Sequence, residues 1–165
     1  MADVLNIFQS TPEPKQESTF DLNKLTEEFK QQRNTDWSVP EAFLCLLLSA
    51  AAVDGNVALE EQGEIYALAR RSRALKSVNP AQLAAANTSV NQRLKSRPDG
   101  LQEACQSLPA DMRLPVFAHC VDIILADGSL LPVEADFLNK IMAFMAIDTA
   151  DGKRVMEVML VKNRF

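Results

Sequence analysis

Leu47–Arg71 reads LLSAAAVDGNVALEEQGEIYALARR, and Cys120–Phe144 reads CVDIILADGSLLPVEADFLNKIMAF. Displaced by 73 residues, the two stretches fall into register: Asp54 on Asp127, Gly55 on Gly128, Glu61 on Glu134. Apolar positions coincide as well, pairing Leu44 with Phe117, Leu48 with Val121, Ala51 with Ile124, Val57 with Leu130, Ile65 with Leu138 and Leu68 with Ile141. Each copy is an apolar helical pattern stopped at Asp-Gly, where glycine takes the left-handed conformation that ends a helix. Each then starts a second helix with a glutamate seven residues after the aspartate. Asp99-Gly100 and Asp151-Gly152 serve as controls: neither has an apolar helix before it and a glutamate seven on. Asp-Gly alone is an ordinary turn signal; the whole unit twice is not. The pattern predicts two helix–DG–helix hairpins whose apolar helices pack together about an approximate two-fold.

The bulk numbers agree with an all-α chain. At 165 residues there is room for a single domain with a substantial core. Apolar residues make up 47% and glycines number only five, while helix formers dominate. A net charge of −5 disfavours nucleic acid as a partner. The longest apolar run, Ala42 to Val53, is twelve residues, broken only by Ser49, and a bilayer span needs ~20. MADVLNIFQS at the start lacks the basic and apolar regions of an export signal. Cys45, Cys105 and Cys120 form no CxxC spacing, and an odd count fits reduced thiols in a cytoplasm. Cys45 and Cys120 fall within apolar helix patterns and read as packing residues.

Along the chain, residues 1–19 contain QSTPEPKQES and read as a mobile arm; whether its Leu5, Ile7 and Phe8 dock is left open by the sequence. Residues 20–165 form the helical domain. Phe20, Leu22, Leu25 and Phe29 start a helical face. Ser38-Val39-Pro40-Glu41 is a capping box with proline in the first turn, and the helix it opens is apolar nearly all round, which places it at the centre of the fold. Further helices are expected over about 58–72, from Asn79-Pro80 to about Lys95, as a short helix reaching Leu108 after a break at Pro98-Asp99-Gly100, up to Ala126 with Pro115 near its start or kinking it, from Pro132 to about Ala146, and after an Asp148 cap. That makes about seven to eight helices and no strand.

The two quoted stretches resemble the tellurite-resistance protein TerB family over roughly residues 38–146. The resemblance implies an all-helical, internally duplicated fold in the bacterial cytoplasm, a link to tellurite resistance and stress response, and metal binding by acidic residues. By motif position those are Asp54, Glu61, Asp127 and Glu134.

Two readings of the acidic turns stand side by side. In one, each Asp accepts hydrogen bonds from the amides of the following turn. Each Glu then favours its helix through the macrodipole, by ~0.3–1 kcal/mol. In the other, the turns approach one another and four carboxylates repel until a proton or a cation joins them. Oxygen-only ligands suit Ca²⁺, Mg²⁺ or Mn²⁺. The spacing is not that of an EF-hand, because Gly follows Asp at once and Glu arrives too early. Glu60, Glu64 and Asp136 add to the same faces, or are simply solvated.

Catalysis finds little support. His119 is the only histidine and pairs at i, i+3 with Asp122, most simply as a buried hydrogen bond. A hydrolase built on it would need a nucleophile motif, and neither GxSxG nor a phosphate-binding loop is present. With the resemblance to the TerB family, the chain reads as a non-catalytic accessory protein that binds a divalent cation or a protein partner through its acidic turns, the rival being a structural or interaction module whose acidic turns are caps. Between Ile65 and Arg97 lie seven basic residues and no acid: Arg70, Arg71, Arg73, Lys76, Arg93, Lys95 and Arg97. This 70–97 segment is either a solvated face or a contact for an anionic membrane surface, an acidic protein or nucleic acid, the last disfavoured because Tyr66 is the one aromatic residue between Ile65 and Arg97.

Overall fold

Ser38 opens the first helix by closing a local ring. Its hydroxyl accepts the Glu41 amide at 3.4 Å, and Glu41 Oε2 accepts the Ser38 amide at 2.9 Å. With Pro40 in the first turn, helix α1 runs Val39–Ala51. The fold is taken from a computed structural model whose described residues are 36–55, 63, 65–68, 71–72 and 75–164. Ala42, Phe43, Leu44, Cys45, Leu46 and Leu47 are all buried, so α1 is enclosed on every side as its composition requires. It ends where Gly55 turns to φ +103°, its amide donating to Ala52 O at 3.0 Å.

Helix α2, Pro80–Ser96, starts with a second capping box: Asn79 Oδ1 accepts from Gln82 N at 2.8 Å and Gln82 Oε1 from Asn79 N at 2.9 Å. Helix α3 covers Gly100–Ser107 and α4 Ala110–Ile124, with Pro115 inside α4 near its start. A 3₁₀ turn, Leu125–Asp127, tightens the end of α4, and Gly128 follows at φ +77°. Helix α5, Pro132–Phe144, ends in a six-residue cap in which Ile147 N donates to Met142 O and Ala146 N to Ala143 O, both at 3.1 Å. Asp148 Oδ1 accepts from Ala150 N at 2.8 Å and starts α6, Thr149–Lys162. Residues 63, 65–68 and 71 are helical too, and no strand occurs among the described residues. The arm over 1–19, the apolar face from Phe20 to Phe29, and most of the helix expected over 58–72 lie outside the described residues.

Packing follows from which faces are apolar. α1 is the hub, in contact with α2, α3 and α4, and α4 carries α5 and α6 on its other sides. The two apolar helices expected to meet do so: the Cys120 thiol lies 3.7 Å from Leu46 O, and the His119 ring stands edge-on to Phe43 at 5.7 Å. Gly152 lets α6 sit close, because a Cβ there would overlap Met142 Sδ. Asp36 and Trp37 are bolted to α2 and α3. Arg97 donates to both Asp36 oxygens at 2.9 Å and to Glu103 Oε2 at 3.1 Å. Trp37 Nε1 donates to the same Glu103 oxygen at 3.0 Å, and Arg93 lies 4.8 Å over the Trp37 ring. No helix among the described residues is long and apolar enough to cross a membrane.

Candidate functional site: the cleft between the two DG turns

Both Asp-Gly turns open onto one cleft of about 710 Å³. Its apolar floor comes from the ends of α1 and α4 and from the helical residues between them, with Ala51, Leu68 and Ile123 among its lining. Asp54, Asp122, Asp127 and Glu134 supply carboxylates to it, against the cations Arg71 and Lys162. Four acids and two bases leave a net charge of −2 on the lining. Three of the four residues singled out by the repeat therefore share one face, and Glu61 lies outside the described residues, as do Glu60 and Glu64.

The second turn is held by its own carboxylates. Asp127 Oδ1 accepts the Ser129 amide at 2.9 Å, and both Asp127 oxygens accept the Ser129 hydroxyl, at 3.0 and 2.9 Å. The amide bond from Ser129, with the hydroxyl bonds beside it, holds the Asp127 carboxyl below its usual range. Glu134 Oε2 accepts the Leu131 amide at 2.7 Å, the glutamate half of a capping box whose other half leucine cannot supply. The reading of these residues as caps is thus realised at Asp127 and Glu134. Each carboxylate retains lone pairs beyond these bonds, and the donor set is all oxygen, as a hard cation prefers. Among the described residues, no three His, Cys, Asp or Glu side chains are grouped so as to hold a metal ion.

Sequence reasoning missed the far wall. Lys162 Nζ donates to both Asp122 oxygens at 2.6 Å, and Asn163 Nδ2 donates to Asp122 Oδ1 at 3.1 Å. Asp122 thus ties the end of α6 to α4, instead of serving the His119 hydrogen bond that the i, i+3 spacing suggested. The usable signal was a carboxylate inside an apolar helix, which needs a cation from elsewhere. His119 packs on Phe43, and burial lowers its pKa against the raising effect of Asp122. Cys45, Cys105 and Cys120 are all buried. Burial pushes the Cys45 and Cys105 thiols up to about 12 and raises Cys120 further.

The basic segment is partly spent inside the fold. Arg93 reaches Asp36 Oδ1 at 2.9 Å and Glu41 Oε1 at 3.8 Å, and Arg97 is shared between Asp36 and Glu103. Arg71, Lys76 and Lys95 remain exposed, and Arg70 and Arg73 lie outside the described residues.

Compared with known proteins, residues 40–157 match the family model described as tellurite resistance protein TerB. No curated protein and no solved structure matched the chain.

Proposed function

The chain belongs to the TerB family, and from that premise we propose that it is a non-catalytic accessory protein of the bacterial cytoplasm, linked to tellurite resistance and stress response, that binds through its paired acidic turns. The observation that carries this reading is the opening of both Asp-Gly turns onto a single cleft of net negative charge. Asp54, Glu61, Asp127 and Glu134 are the ligands proposed for a divalent cation of the Ca²⁺, Mg²⁺ or Mn²⁺ class, with the two hairpins related as pseudo-symmetric halves. A protein partner at the same face is part of the proposal. Contact with an anionic membrane through the 70–97 segment has less to draw on, since Arg93 and Arg97 are paired internally.

The test is thermal melting with each ion in turn. An ion that binds only the folded chain raises Tm with its concentration, and the rise disappears in the Asp54→Asn, Asp127→Asn double variant. A rise that survives in that variant puts the ion elsewhere. The rival reading, caps without metal, is favoured by the Asp127–Ser129 and Glu134–Leu131 hydrogen bonds. It predicts no shift with any of the three ions and a lower Tm for the variant under all conditions.

A further inference from the structure

We propose that the cleft between the two DG turns is the docking groove for a cationic amphipathic helix of a partner protein. The inference rests on the reading of this face as a binding face and names the chemistry of what binds. A cation alone would use the carboxylates and leave the apolar floor idle. Ala51, Leu68 and Ile123, from the end of α1, the helical residues after it and the end of α4, line the cleft and are only partly covered. An apolar strip walled by carboxylates matches a helix that presents apolar anchors at i, i+3 or i+4 and i+7 with basic residues flanking them.

Charge selects the occupant. The cleft lining carries −2 by the residues named above. The chain's own residues 1–35 contain Asp3, Glu13, Glu17, Asp21, Glu27 and Glu28 against Lys15, Lys24, Lys30 and Arg33, six acids to four bases, a net charge that does not complement the acidic wall. A second copy placed by a two-fold axis would set the same carboxylates against themselves. Nucleic acid and anionic lipid are repelled for the same reason. A basic partner segment satisfies floor and wall together, and its charge also speeds encounter.

A fluorescein-labelled amphipathic peptide of leucine and lysine, and its counterpart with glutamate at every lysine, supply the probes. Fluorescence anisotropy with the full chain is expected to show salt-dependent binding of the first and none of the second. Asp54→Lys with Asp127→Lys is expected to weaken binding about tenfold, roughly 1.4 kcal/mol. Asp99→Lys with Asp111→Lys makes the same change in net charge at exposed positions outside the cleft, and is expected to leave affinity within about twofold. Amide shifts on wild-type protein, which need no variant to fold, are expected to cluster at Ala51, Leu68 and Ile123. Equal losses in the two charge-matched pairs, shifts clustered elsewhere, or binding of the glutamate peptide would overturn the proposal. If the lysine peptide fails while Mn²⁺ raises Tm, the groove is a cation site only and the docking inference falls alone. If the peptide binds as expected and no ion raises Tm, the docking inference stands and the cation is lost.

Discussion

Ala146 is the only described residue other than glycine with positive φ, at +52°. It occupies the left-handed position of the cap that ends α5, a place where a Cβ costs roughly 1–2 kcal/mol. The cap persists because its amides and those of Ile147 close on α5, and because Arg113 NH1 donates to Met145 O at 2.9 Å, a cation at a helix C-terminus. Ala146→Gly removes the Cβ but frees the unfolded chain. The net gain should be about 0.5–1 kcal/mol, seen as a Tm rise of about 1–4 °C by calorimetry. At this scale the sequence was easy to read where a motif is local. Ser38 (with Glu41), Asn79 (ahead of Pro80, bonding Gln82) and the Asp148 cap all bond within a few residues of themselves. Ala146 escaped because nothing in its neighbours asks for glycine.

The joint between α5 and α6 turns on Gly152, whose Asp-Gly pair looked like an incidental turn signal. It is instead a packing glycine, set against Met142 and with Phe117 beyond it. Gly152→Ala must push Met142 aside, at a cost of about 1–2 kcal/mol. Because the obstacle is a flexible thioether, adding Met142→Ala should recover part of that loss. The comparison of urea midpoints for the two single variants and the double tests the contact. The elements themselves were legible: helices α1 to α6, as bounded above among the described residues, were anticipated from periodicity and breakers. What joined them was less so. Asp122 was assigned to His119 on the same helix face, whereas it binds Lys162 and Asn163, which lie 40 and 41 residues on. Side-chain partners at that separation leave no spacing to recognise. The candidate site was half legible: the repeat named Asp54, Asp127 and Glu134, and the structure supplied the apolar floor, Arg71 and Lys162.

For the molecule as a whole, the clamp of Asp36, Trp37, Arg93, Arg97 and Glu103 fastens the residues just before α1 to α2 and α3. The Arg97 hydrogen bonds, with Arg93 and Arg97 charge, outweigh desolvation and hold the Asp36 carboxyl at about 2, below its usual 3.8. A depressed carboxyl contributes stability above the unfolded value and loses it as pH falls through the folded one. Stability should therefore decline between about pH 4 and pH 2, and Asp36→Asn should flatten that limb while lowering Tm at neutral pH. Trp37 is the single tryptophan and is buried on the clamp, so its emission during acid titration reports the release directly. The basic run that looked like an open patch is thereby partly an internal fastening, a role invisible until Asp36 and Glu103 are placed beside it. The sealed sulfur atoms have a practical sequel. Folded, the protein keeps the thiols of Cys45, Cys105 and Cys120 buried, so a thiol reagent should reach them only as the chain unfolds. The same privacy means that one cysteine placed on the surface would be the sole handle for a label or cross-linker.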